Sequence, residues 1–126
     1  MPFLVDSNVL IDVSRGNAAA IQYVDALNEP WVLSQVTGLE LIVGARDKRD
    51  LAVIDGFLGL YSIVPLSESI GTRAYGLLKT YAKSHGLHVF DSLIAATAME
   101  NAFTLLTLNR KHYQMIDGLK LQVPNY

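Results

Sequence analysis

The chain has no cysteine among its 126 residues, which excludes a disulfide framework and a zinc–thiolate site. It also has no strong excess of either charge: ten Lys and Arg against twelve Asp and Glu give a net charge of −2. Bulk charge therefore does not indicate a nucleic-acid binder, and any such binding needs local basic patches or a metal ion. No apolar run approaches the ~20 residues that span a bilayer, and the N-terminus lacks the features of a signal peptide. We expect a cytoplasmic protein that does not bind membranes.

What the chain does have is an apolar composition of 51% and a regular alternation of strand and helix patterns. The strands are predicted before Asp6 and at 31–34, 61–66, 102–107 and 119–123. Helical patterns separate them, an arrangement typical of a mostly parallel sheet covered on both faces. We predict a single α/β domain over residues 1–126, with no linker and no repeat.

Capping residues predict where the helices begin and end. Helix starts are expected at Asp6 or Ser7, Asn17, Thr37, Asp47, Ser67 and Asp91, with Gly86 as a stop. Thr37 and Glu40 have the spacing of a capping box. Residues 88–90 are predicted as a connector and 108–113 as a polar, basic loop.

Three carboxylates lie in apolar surroundings: Asp6 ends a buried strand, Glu40 lies within an apolar helix, and Asp91 begins a helix of small residues. Each has a purely structural interpretation, since Asp6 and Asp91 could be helix caps and Glu40 could belong to the capping box. Burying an unpaired carboxylate is costly, however, and no Lys or Arg is near any of the three in the sequence.

A hard divalent cation shared by the three carboxylates would compensate that cost. Mg²⁺ and Mn²⁺ prefer oxygen ligands and often use few carboxylates. The histidines His85, His88 and His112 have no metal-ligand spacing. The residues alone leave the metal site and the structural interpretation about equally favoured.

Four segments of the chain resemble the PIN-domain ribonucleases, and most closely the VapC-type toxins of prokaryotic toxin–antitoxin pairs. They are residues 3–12 with Asp6-Ser-Asn, 34–44 with Thr37-Gly-Leu-Glu40, 86–98 with Asp91-Ser-Leu-Ile-Ala-Ala, and 105–113 with Thr107-Leu-Asn109. The segments occur in the family's order and at family-like spacing from end to end of the domain.

The resemblance implies a three-layer α/β/α sandwich, PIN-like, on a mainly parallel five-stranded sheet. It also implies a Mg²⁺- or Mn²⁺-dependent endoribonuclease whose metal-binding and catalytic acids are Asp6, Glu40 and Asp91. A fourth catalytic position, usually aspartate, is Asn109 here, which brings no charge and leaves open whether one or two metal ions act. Ser7 and Asn8 match the family's supporting residues.

For partners, the resemblance implies an RNA substrate, a small antitoxin protein and a homodimer. Arg110 and Lys111, beside Asn109, are possible RNA contacts. Two other functions stay open: a nucleic-acid-binding PIN module whose catalysis is weakened at Asn109, and a phosphohydrolase of small esters. The first predicts that Asp6→Asn leaves RNA affinity and growth arrest intact. Against the second, the chain has no glycine-rich phosphate loop.

Overall fold

A computed structural model describes residues 2–126; Met1, the first residue of the predicted domain, lies outside the described residues. The strands are β1 Phe3–Val5, β2 Trp31–Ser34, β3 Ile63–Val64, β4 Thr104–Leu106 and β5 Leu121–Gln122. The helices are α1 Ser7–Ser14, α2 Ala18–Asp25, α3 Gln35–Val43, α4 Lys48–Leu58, α5 Glu68–His85, α6 Val89–Glu100 and α7 Arg110–Tyr113. In the part of the chain that is described, no helix has the length and apolar character needed to cross a bilayer.

The five strands form one sheet in the order β3-β2-β1-β4-β5, and every pairing is parallel. This confirms the predicted α/β class and the five-stranded sheet. The first strand of the chain is therefore the central one, with Val5 in register with Leu106 of β4. In a parallel sheet all carboxyl ends lie at one edge, so the residues that follow β1, β2 and β4 are neighbours.

Apolar side chains on the two faces of the sheet form two separate cores. Leu4 and Leu105 point into a core shared with α5 and α6. Their neighbours Val5 and Leu106 point the other way, into a core shared with α1, α2 and α4. Side chains alternate along a strand, so consecutive apolar residues fit a sheet covered on both faces. The result is the predicted three-layer α/β/α sandwich.

Most predicted helix boundaries are confirmed by their caps. The side chains of Asn17, Asp47 and Ser67 each accept a hydrogen bond from a backbone N–H in the first turn of the following helix. Gly86 ends α5 in the left-handed conformation with φ +70°, which glycine adopts without strain.

The predicted start of α3 is wrong. The helix begins two residues earlier than Thr37, because Ser34 is the N-cap and accepts a hydrogen bond from the Val36 N–H at 3.1 Å. Thr37 is buried within the first turn, so Glu40 is not its capping-box partner. The carboxylate of Glu40 is consequently free to interact with a different element.

Two other predictions are corrected nearby. Residues 88–90 are not a connector, since α6 begins at Val89 after an extended His88, and Asp91 lies in the first turn rather than at the cap. Residues 108–113 are not wholly a loop, because 110–113 form the single turn α7, which the burial of Tyr113 holds against the core. The three later strands exist where predicted but are shorter at their ends.

Candidate active site

Asp6 is placed by the end of β1 at the carboxyl edge of the sheet. Its backbone N–H continues the ladder by donating to the Leu106 carbonyl at 2.9 Å. Its side chain is only 4% exposed and accepts hydrogen bonds from the Ser7 N–H at 2.8 Å and the Thr107 hydroxyl at 2.7 Å. The carboxylate is thus fixed in orientation by the ends of two adjacent strands.

Burial raises the pKa of the Asp6 carboxyl above its usual value. The hydrogen bonds from Thr107 and Ser7 and the nearby Tyr113 hydroxyl act in the opposite direction, and the negative charge of Asp91 adds to the increase. Loss of hydration outweighs the hydrogen bonds, so the ionised carboxylate is not fully compensated by the protein.

Glu40 reaches the same place from α3. The Ser7 hydroxyl donates to Glu40 Oε1 at 2.8 Å and lies 3.1 Å from Thr37 Oγ1. Burial raises the pKa of the Glu40 carboxyl, and the charges of Asp6 and Asp91 raise it further, against the Ser7 hydrogen bond. Glu40 and Asp6 therefore both carry ionisation costs that a nearby cation would relieve.

Asp91 is held by two residues of α7. The Tyr113 hydroxyl donates to Asp91 Oδ1 at 3.1 Å. His112 Nδ1 lies 3.2 Å from Asp91 Oδ2, an ion pair when the imidazole is protonated. Neither residue is identifiable as part of the site from the sequence, because the pattern of residues 108–113 predicts a loop and their position beside Asp91 depends on α7.

Asn8 and Thr107 connect β1 to β4 behind the carboxylates. Asn8 accepts a hydrogen bond from the Leu108 N–H at 3.1 Å and donates through Nδ2 to Thr107 Oγ1 at 3.2 Å and to Asp6 Oδ2 at 3.4 Å. Thr107 is not assigned to the site from the sequence. The signal was present, because Thr107, like Asp6, is a polar residue directly after an apolar strand.

Asn109 lies beside the carboxylates with its side chain exposed. Its backbone N–H donates to Thr107 Oγ1 at 3.0 Å, while its side chain makes no capping bond to α7. Arg110 and Lys111 follow it and are exposed to solvent.

These elements enclose one cleft, which we call the acidic cleft. It is lined by Asp6, Ser7, Asn8, Ile11, Glu40, His88, Phe90, Asp91, Asn109 and His112. The structure therefore brings together the sequence-predicted acids, the supporting pair Ser7 and Asn8, and Asn109. It does not bring Arg110 and Lys111 into the lining, which leaves them at its margin, next to Asn109 and His112.

The donor set of the acidic cleft fits a hard divalent cation. It contains three carboxylates and no Lys or Arg, and the two carboxyl groups with raised pKa values are Asp6 and Glu40. As the side chains stand, no three acidic or histidine groups within residues 2–126 converge tightly enough to hold a metal by themselves. Asp91 faces Tyr113 and His112, and Glu40 faces Ser7, so an ion here would be held by few carboxylates and keep several waters, as Mg²⁺ commonly does.

Comparison with known proteins agrees with this geometry. The PIN domain family model matches residues 3–117. The chain belongs to the PIN-domain family. Among curated PIN-domain proteins, it is 36% identical over 122 residues to Ribonuclease VapC10 of Mycobacterium tuberculosis, covering 93% of this chain and 90% of that protein. Within the family it is thus one of the VapC ribonucleases, the toxin components of toxin–antitoxin systems.

Solved PIN-domain structures share the fold over nearly the whole chain. A toxin–antitoxin complex from Klebsiella pneumoniae matches with a TM-score of 0.77 and 29% identity, covering 92% of this chain and 93% of that one. VapBC2 from Rickettsia felis, bound to a promoter DNA fragment, matches with a TM-score of 0.84 and 23% identity, covering 99% and 100%, and supports the fold.

Proposed function

We propose that the acidic cleft is the RNA-cleaving centre and that it works with Mg²⁺ or Mn²⁺. Asp6, Glu40 and Asp91 would hold the ion through carboxylate oxygens, with water completing its coordination. The observation that supports this most strongly is the convergence of one buried carboxylate, Asp6, and two half-buried ones, Glu40 and Asp91, on one cleft whose lining contains no Lys or Arg. Such a group of acids is costly for folding and repels a phosphate backbone unless a cation binds.

The side chains around the acids have separate tasks in this proposal. When bound, the ion supplies an acidified water as nucleophile and positive charge beside the scissile phosphate. Ser7 holds Glu40, while Asn8 and Thr107 hold Asp6, so these two carboxylates have fixed orientations beside the cleft. Asn109 presents a neutral amide to the cleft and orients water or phosphate without adding charge. Because water rather than the ribose 2′-hydroxyl attacks, the products carry a 5′-phosphate and a 3′-hydroxyl.

Neutral isosteres of the acids provide the direct test. We expect Asp6→Asn, Glu40→Gln and Asp91→Asn each to lower RNA cleavage by on the order of 10²-fold or more, since each removes charge that holds the cation. Cleavage of total RNA in Mg²⁺ is measured on folded protein, and EDTA is expected to suppress the wild type. Asp12→Asn is the matched control, because Asp12 lies on α1 outside the cleft lining and bonds Tyr126 instead.

Three results would count against parts of the proposal. Full activity of any one variant removes that residue from the centre, and persistent cleavage in EDTA refutes the metal mechanism. Growth arrest by an Asp6→Asn variant that binds RNA normally would favour a binding module over a nuclease.

We further propose that a small antitoxin protein neutralises this chain in the cytoplasm and that the chain forms a homodimer. The similar Klebsiella pneumoniae protein was solved as a toxin–antitoxin complex. The pairing predicts a small antitoxin-like reading frame beside this gene, and co-expression with it should yield a stable complex that no longer cleaves RNA. Free antitoxin-like protein with undiminished cleavage would contradict the pairing, and sedimentation of the chain alone tests the dimer.

A further inference from the structure

The hydroxyl of Tyr113 is a buried polar group placed among the acids of the cleft. Tyr113 is the last residue of α7 and is only 1% exposed, with its ring packed in the core shared with α5 and α6. Its hydroxyl donates to Asp91 Oδ1 at 3.1 Å. The same hydroxyl also interacts with the carboxylate of Asp6, so it lies between acids delivered by β1 and α6.

The chemistry of this hydroxyl restricts what it can do. The hydroxyl lies 3.1 Å from Asp91 Oδ1, and because an ionised carboxylate can only accept a hydrogen bond, the hydroxyl acts as the donor. A phenylalanine would fill the same volume without any need for a polar partner. The hydroxyl is therefore not required for packing, and its effect falls on the carboxylates it touches.

We propose that Tyr113 is a positioning residue that fixes the Asp91 carboxylate relative to Asp6 so that both can bind one divalent cation. The inference rests on the metal site of the proposed function. Groups that orient metal ligands commonly change metal affinity or activity by about 10–100-fold when removed. Here the orienting hydroxyl is carried by a ring that is buried in the core, which sets the orientation of Asp91 before any ion arrives.

Tyr113→Phe removes the hydroxyl and keeps the ring. We expect Mn²⁺ to bind about 10-fold more weakly, as measured by electron paramagnetic resonance of free Mn²⁺ in a titration without RNA. Cleavage should fall by a similar factor at limiting Mn²⁺ and recover at saturating Mn²⁺, because the acids themselves remain. A general loss of structure would instead lower activity at every metal concentration.

Tyr126→Phe is the matched control. The Tyr126 hydroxyl also donates to a carboxylate, Asp12 Oδ2 at 2.9 Å, but this pair lies outside the cleft lining. The control should keep wild-type Mn²⁺ affinity while losing a comparable hydrogen bond.

A second measurement uses the wild-type protein and does not depend on the folding of any variant. With tyrosine labelled at Cζ, saturating Mg²⁺ should shift the ¹³C resonance of Tyr113 and leave that of Tyr126 in place. An unmoved Tyr113 resonance, or Mn²⁺ affinity unchanged in Tyr113→Phe, overturns the positioning role and leaves the proposed function standing. Absence of Mn²⁺ binding to the wild type overturns the metal site itself.

Discussion

At the carboxyl end of β4, the fully buried Thr107 side chain is in contact with three partners at once. Its hydroxyl donates to Asp6 Oδ2 and accepts from the Asn109 N–H and from Asn8 Nδ2. One hydroxyl thus satisfies a carboxylate, a backbone donor and a side-chain amide. Without the Thr107 hydroxyl, each of these three groups would lose a hydrogen-bond partner at a partly buried position. We therefore expect Thr107 to contribute to both stability and activity.

Thr107→Val keeps the shape of the side chain and removes the hydroxyl. We expect the free energy of unfolding to fall by about 2 kcal/mol, because the variant lacks a hydrogen bond to a charged group and leaves a donor unpaired. Chemical denaturation measures the change. The control is Thr97→Val, since the equally buried Thr97 hydroxyl bonds only the Leu93 carbonyl of its own helix. Equal decreases in the two variants would contradict the special role of Thr107.

Among the elements, α1 and α7 show what the sequence could and could not predict. The start of α1 was predictable, because Asp6 and Ser7 follow an apolar strand and have strong capping preferences. A single turn such as α7 has almost no local signal, and the burial of Tyr113 against distant helices decides its conformation. Asp6, Glu40 and Asp91 could therefore be named from the sequence, whereas the α7 residues that hold Asp91 could not.

The exposed pair Arg110 and Lys111 on α7 gives a prediction for RNA affinity. In an Asp91→Asn background, where we expect cleavage to be strongly reduced, replacing both with Gln should weaken single-stranded RNA binding. The slope of the logarithm of the binding constant against the logarithm of the salt concentration should fall in magnitude by about 0.7 for every phosphate that the variant no longer neutralises. Filter binding at several salt concentrations measures both quantities. A matched double change on α5, Lys79→Gln with Lys83→Gln, should leave them unaltered, and an unchanged slope in the α7 variant would exclude a role for this pair in RNA binding.

Over the whole molecule, the alternation of strands and helices determined the layer architecture, because a parallel sheet must be covered on both faces. The pairing order of the strands did not follow from local patterns. It depends on which apolar faces meet, as in the two separate cores on either side of β1. The electrostatic cost of the acidic cleft is likewise a property of the whole fold. Asp6 after β1, Glu40 on α3 and Asp91 on α6 each contribute one negative charge to it.

The cost of ionising the carboxyl groups of the cleft predicts how stability depends on pH in the absence of metal. The folded-state pKa values of Asp6 and Glu40 are raised above the ordinary values of 3.8 and 4.5. Between the ordinary and the raised pKa values, the folded protein binds more protons than the unfolded chain. The two carboxyl groups therefore do not lower the stability of the fold below their ordinary pKa values. Their cost appears as the pH rises and is complete above their folded-state pKa values. In EDTA at pH 7, Glu40→Gln should melt at a higher temperature than the wild type, and the difference should disappear below about pH 4.

Thermal unfolding across pH, with and without Mg²⁺, checks this expectation. Mg²⁺ should raise the melting temperature of the wild type more than that of Glu40→Gln. Ligand binding stabilises the folded state, and the variant lacks one of the carboxylates proposed to bind the ion. The exposed Glu68 in the first turn of α5 provides the control, as Glu68→Gln should give no rise at any pH. A wild type that is more stable than Glu40→Gln in EDTA at pH 7 would contradict the cost assigned to this carboxylate.

The central position of β1 also has a consequence for the order of events during synthesis. Asp6 and Thr107 are 101 positions apart in the chain, yet they share a hydrogen bond in the finished site. A nascent chain that has not yet reached β4 and α7 lacks both the neighbouring strand and the residues that hold Asp91. Contacts of such long range also form slowly. On the proposed function, cleaving ability therefore arises only after β4 and α7 have left the ribosome, which leaves an interval in which the chain can be captured before it cleaves RNA.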